Sequence, residues 1–138
     1  MRKILTTLGT IGLAVALGPA LPAQASAAEA KAWSCPSNSV CFYSGTGGQG
    51  QRCAWPARSD DENWKGGDVQ CSWASGIFPM VRSVRVMPNS MGSVTYFKNA
   101  GYSGRVGCTN GGADGAKSTF TEAKVILSHS TSSSACQT

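Results

Sequence analysis

From about residue 39 onward, apolar positions come in short bursts that keep the two-residue spacing of a strand and never hold the helical spacing for long. Runs of β-branched and aromatic residues such as VCFY (40–43), VRSVRV (81–86) and VTYF (94–97) are separated by clusters of Gly, Asn and Asp at roughly ten-residue intervals. The pattern predicts an all-β sandwich or barrel, with strands over 39–44, 50–55, 68–73, 81–87, 93–98, 104–109 and 122–128 and an eighth near 117–120. Residues 56–67 (PARSDDENWKGG) read as a polar loop interrupted by Trp64, and Pro88–Gly92 as a link between two halves. The last stretch, SHSTSSSACQT from Ser128, is polar and of low complexity, which predicts a frayed tail held only through Cys136. The N-terminus stands apart. Arg2 and Lys3 precede an uncharged apolar stretch from Ile4 to Leu21, and Ala23-Gln24-Ala25 supplies small residues for cleavage. This reads as a secretory leader over 1–25, with cuts after Ala27 or Ala28 as alternatives. Gly18-Pro19 inside the stretch argues against a retained anchor, and no other segment nears the roughly 20 apolar residues of a membrane span.

The two halves are alike. VCFYSGTGGQGQRC (40–53) and VTYFKNAGYSGRVG (94–107) align without a gap at an offset of 54, and each has an aromatic residue seven positions before a glycine: Tyr43 to Gly50, and Phe97 to Gly104. A folded-over hairpin needs a glycine where φ turns positive or the chain approaches itself closely, and a flat side chain can lie over such a turn. Tyr102 adds a second aromatic to the second hairpin, and the runs VRSVRV (81–86) and AKVIL (123–127) read as the closing strand of each half. The duplication resembles the βγ-crystallin motif, which implies two Greek keys forming a small two-sheet sandwich.

Six cysteines (35, 41, 53, 71, 108 and 136) all follow the leader. An even count in a short secreted chain reads as a disulfide framework, and the count alone leaves the connectivity open. No Cys-x-x-Cys pair exists, and the lone His129 has no partner ligand near it in sequence, so no metal and no cofactor are expected. The net charge is +5, two of whose positive charges, Arg2 and Lys3, leave with the leader. The remaining basic residues are scattered, which gives a nucleic-acid partner no basic stripe to bind.

The run CPSNSVCFYSGTGGQGQR (35–52) resembles the opening of the Streptomyces metalloproteinase inhibitor family, small secreted peptidase inhibitors with a βγ-crystallin-like domain. The matching features are the Cys-Pro start, Cys41, and Tyr43-Ser44-Gly45-Thr46-Gly47 leading to Gly50 and Arg52. The resemblance implies a Cys35–Cys41 bond, an extracellular peptidase (a metalloprotease) as partner, a monomer, and a reactive bond just after a cysteine of the second half. The nearest equivalent here is Cys108-Thr109, with Asn110 following. The chain departs from the family pattern in having no cysteine a few residues on to close that loop, so Cys136 is paired with Cys108. Cys53 and Cys71 are extra relative to the inhibitor and are paired with each other as a staple of the first half. The domain then spans 35–128, after an extension over 26–34 and before a tail over 129–138 anchored by Cys136.

An inhibitor of this type is a poor substrate, holding a rigid convex loop in the protease cleft while a nearby disulfide restrains the cut ends. Gly111-Gly112 reads as a flexible flank, and Thr109 is smaller than the apolar residue a thermolysin-type protease accepts after the cut. A cysteine merely tying the tail to the sheet accounts for Cys108 equally well. An alternative loop, Ser75–Met80, offers Ile77 and Phe78, which also read as core residues of a strand. The tryptophans (33, 55, 64 and 73) all lie in the first half, where they read as core or as a sugar-binding platform, with Trp64 the one expected to be exposed. The places where some βγ-crystallins bind calcium read FPMVRS (78–83) and FTEAKV (120–125); Ser83 fits, but the acidic or amide ligands do not. His129 among serines makes no catalytic triad, so an enzyme is not expected. The reading is a secreted peptidase inhibitor. The alternative is a non-inhibitory βγ-crystallin-like module, binding cell-wall polysaccharide or acting as a toxin-like protein.

Overall fold

The computed structural model describes residues 32–71, Trp73 and residues 80–138; the leader and the Ile77–Phe78 stretch lie outside the described residues. Strands β1 (Ser39–Tyr43), β2 (Arg52–Pro56), β3 (Met80–Val86) and β6 (Ala116–Val125) form one sheet in the order β2-β1-β3-β6. Strands β4 (Ser93–Phe97), β5 (Arg105–Asn110) and β7 (Ser128–Ser132) form a second in the order β5-β4-β7. Every pairing is antiparallel. The protein is thus all-β, two-sheeted and disulfide-bonded, with a strand arrangement consistent with two Greek keys.

Alternation explains which side chains meet between the sheets. Val40 and Phe42 of β1, Val84 and Val86 of β3, and Val94 and Tyr96 of β4 point inward and are buried. Trp55 and Trp64 stack at 4.7 Å beside them, with Phe42 edge-on to Trp55 at 5.8 Å. β1 breaks the alternation by being buried at all five positions. Its outward residues are covered by the segment before it: Cys35 is bonded to Cys41, and the Trp33 ring meets Tyr43 edge-on at 5.7 Å.

The halves exchange elements. β6, from the second half, completes the first sheet, while Asp61, from the first half, forms an isolated antiparallel bridge to His129 on β7 of the second. The repeated hairpins share one fastening. Ser83 on β3 is fully buried; its hydroxyl donates to the Gly45 carbonyl at 2.7 Å and accepts from the Gly48 N–H at 2.9 Å. Ser128 on β7 does the same with Asn99 O at 2.6 Å and Tyr102 N–H at 3.2 Å. Those partners are the residues that the offset of 54 equates. Gly50 and Gly104 adopt φ of +81° and +68°. A Cβ on Gly50 would meet Ser44 Oγ at 2.5 Å, and one on Gly104 would meet the Lys98 side chain at 2.7 Å, so each glycine lets its turn close on the strand end before it.

The disulfides are Cys35–Cys41, Cys53–Cys71 and Cys108–Cys136. Three expectations about elements are corrected. Residues 68–71 are loop rather than strand, turned so that the Cys71 N–H reaches Trp64 O at 3.3 Å. The segments expected at 117–120 and 122–128 merge into β6, and the closing strand of the second half is β7, not AKVIL. The domain therefore runs beyond 128, because the first residues of the supposed tail pair with β4 along its whole length.

Candidate functional site

Thr109 lies on the same face as the core residues Val94 and Tyr96, only 4% exposed, and shares a 3.4 Å hydrogen bond with the Tyr96 hydroxyl. Burial lifts the Tyr96 phenol above its ordinary pKa, so it stays protonated beside that threonine. Alternation then turns Cys108 and Asn110 to the outer face of the second sheet. There the C-terminal residues grip β5 at three positions. Cys136 is bonded to Cys108, its N–H donates to Asn110 Oδ1 at 2.6 Å, and Arg105 Nη2 donates to Gln137 O at 2.7 Å. The result is an outermost strand splinted along one face.

Cys108, Thr109 and Asn110 are therefore the end of an edge strand, where a convex loop was expected. The diglycine after them is pinned. Gly111 N–H donates to Gly92 O at 2.7 Å and Gly112 N–H to Met91 O at 2.8 Å, while Asn89 N–H returns a bond to Gly112 O at 2.9 Å. A Cβ on Gly111 would lie 2.4 Å from Met91 O, so the residue serves close approach rather than flexibility. Asn110, Ala113 and Asp114 form the exposed crest of this braced turn.

The other candidates fall elsewhere. Ile77 and Phe78 lie outside the described residues. Trp64, expected exposed, is fully buried, because the acidic loop folds inward and Trp64 N–H reaches Leu127 O at 2.9 Å. Trp55 is 1% exposed, and Trp33 and Trp73 are half-buried, so none of the four presents an open ring. Tyr43 and Gly50 line a cavity of about 550 Å³ with Ser34, Gln49 and Arg52. Tyr43 donates through its hydroxyl to Ser34 O at 2.9 Å, and Arg52 reaches the same carbonyl at 2.7 Å. Phe97 packs edge-on against Tyr102 at 5.9 Å. Ser83, the one residue that fitted a calcium pattern, is occupied with its hairpin. Among the described residues no three His, Cys, Asp or Glu side chains converge as metal ligands.

Sequence reasoning missed His129. The ring is fully buried against Phe42, Trp55 and Trp64, 5.5, 4.8 and 5.8 Å away between ring centres. Nδ1 accepts from Trp64 Nε1–H at 2.9 Å, which leaves the proton on Nε2, donated to Ser59 O at 3.0 Å. Burial pushes its pKa down to about 4 despite Asp60 and Asp61 nearby. Neutral and fully bonded, it braces the halves and is not placed as a catalyst. The signal that could have found it is Ser128 beside it, which opens a closing strand as Ser83 sits in β3.

Among known families, the model for peptidase inhibitor family I36 matches residues 28–109. No curated protein matches the chain. No solved structure matches it either. The family match runs from before the first hairpin to Thr109, so it takes in both repeated hairpins and ends on β5.

Proposed function

The chain belongs to peptidase inhibitor family I36, and from that premise we propose that it is secreted and blocks an extracellular metalloprotease with the splinted stretch Cys108–Asp114. The observation that carries the site is rigidity at an exposed end of the molecule. Cys108 is tied to Cys136, Asn110 to the Cys136 N–H, and Gly111 and Gly112 to the carbonyls of Gly92 and Met91. A segment already fixed in extended form loses little further freedom on entering a peptidase cleft, and a cut there would leave both new ends held. Because Thr109 is packed in the core, contact falls to the backbone of β5 and to the exposed Asn110, Ala113 and Asp114. The three disulfides support a life outside the cell, where such bonds persist. Among the described residues no helix is long and apolar enough to cross a membrane.

The test is titration of the purified protein against thermolysin-like, subtilisin-like and papain-like peptidases. Stoichiometric slowing of the thermolysin-like enzyme is expected, with any clipped bond mapped by mass spectrometry to 108–114. If none of the three is slowed at micromolar protein, the reading fails. The polysaccharide-binding alternative gains no support from the rings, since no tryptophan is laid open as a platform.

A further inference from the structure

The two sheets end in four outermost strands, β2 and β6 in one and β5 and β7 in the other. An unprotected edge is a template for any extended chain, so folded proteins blunt their edges with charges, prolines, bulges or cover. Three of the four are blunted here. β2 opens on exposed Arg52 and closes on exposed Pro56, which has no N–H to offer. β6 carries exposed Lys117, and its register breaks between Thr119 and Lys124, opposite Ser83 and Val81. β7 is capped by the Asp61 bridge, and Asp60 Oδ1 takes the Thr131 N–H at 2.6 Å.

β5 is different. Its one charge, Arg105, and its register shift opposite Tyr96 and Phe97 both sit at its start, which leaves Gly107–Asn110 as a plain edge. Two bonds bracket the β4–β5 ladder, Lys98 N–H to Gly104 O at 3.0 Å and Gly111 N–H to Gly92 O at 2.7 Å. By the alternation of an antiparallel ladder they turn the main chain of Thr109 toward β4, and the N–H and C=O of Cys108 and Asn110 outward. No backbone bond from the C-terminal residues to β5 occupies these groups among the described residues, because the tail grips through the disulfide and two side chains.

We propose that the target peptidase is held by strand addition to this edge: an extended segment of its own backbone, of the kind that lines a peptide-binding cleft, pairs with Gly107–Asn110. This rests on the inhibitor reading above and deepens it by assigning the contact to main-chain groups. Strand addition draws affinity from backbone bonds and needs a template that is already straight, which the tail splint supplies. It also accounts for a candidate stretch whose middle side chain, Thr109, is spent on the core.

Amide hydrogen exchange on the whole mature protein, free and mixed with a catalytically inactive thermolysin-like peptidase, tests the proposal. In the free protein the amides of Cys108 and Asn110 exchange fast while Thr109 is protected; in the complex all three are protected. A companion pair of variants separates main chain from side chain. Asn110→Ala removes only the tie to Cys136, whereas Asn110→Pro also removes the outward N–H at a place where an edge tolerates proline. Binding by Asn110→Pro is expected about tenfold weaker than by Asn110→Ala, the worth of one such bond. A complex in which Cys108 and Asn110 exchange as in the free protein, or equal binding by the two variants, overturns strand addition and leaves the inhibitor reading standing. No complex with any peptidase overturns both.

Discussion

His129 is held where a charge is hardest to place, with three aromatic rings around it and each ring nitrogen already bonded. Its pKa of about 4 in the fold lies below the ordinary 6.5 of an exposed histidine. Above pH 6.5 neither folded nor unfolded chain carries the proton, and the full contribution to stability is present. As the pH falls through that value the unfolded chain is protonated first, and stability drains until the folded ring also titrates near 4. The loss amounts to about 3 kcal/mol. Urea unfolding at pH 7 and pH 4.5 should show the decrease in the native protein, and His129→Gln should flatten it across that window. An equal fall in the variant would show that the acid sensitivity does not come from His129. A second residue-level expectation concerns Trp64: replacing His129 by Ala strands its indole N–H in the core, at a cost of about 1–3 kcal/mol before the lost packing.

At the scale of elements, the two hairpins hang on one hydroxyl each. Ser83→Ala leaves the buried Gly48 N–H and the part-buried Gly45 carbonyl without their partner, and Ser128→Ala removes the part-buried bonds to Tyr102 and Asn99. The first is expected to cost about 1–3 kcal/mol and the second about 0.5–1.5 kcal/mol in thermal or urea unfolding. These hairpins were also the most legible part of the sequence, since a glycine with positive φ and an aromatic at fixed distance leave a mark that repeats. β7 left none. Its residues are Ser, His, Ser, Thr and Ser, so no apolar alternation betrays a strand, and its burial is made good by hydrogen bonds that only the fold brings together. Trp64 was hidden by the opposite effect, an apolar side chain set among acids in a loop whose backbone bonds to Leu127 and His129. The candidate site was legible as a cysteine and its neighbours. That Thr109 faces inward follows only from the β4–β5 register.

Across the whole molecule, the Cys108–Cys136 bond links β5 to a tail that has crossed the outer face of its sheet. Closing such a loop is worth about 2–4 kcal/mol, chiefly by restricting the unfolded chain. The paired variant Cys108→Ser with Cys136→Ser should melt at a lower temperature by that measure. Under the inhibitor reading it should also bind its peptidase more weakly than the drop in stability explains, because the splint on β5 goes with the bond. A protein of equal affinity and lower melting point would reduce the disulfide to a staple. The exchange of β6 and Asp61 between the halves reaches further still. Each half is like one side of a buckle, with a prong that closes only in the other's slot. Expressed separately, chains covering 32–87 and 88–138 should be unfolded alone and should assemble on mixing, and a cut confined to the Pro88–Gly92 link should leave a functional, two-piece molecule.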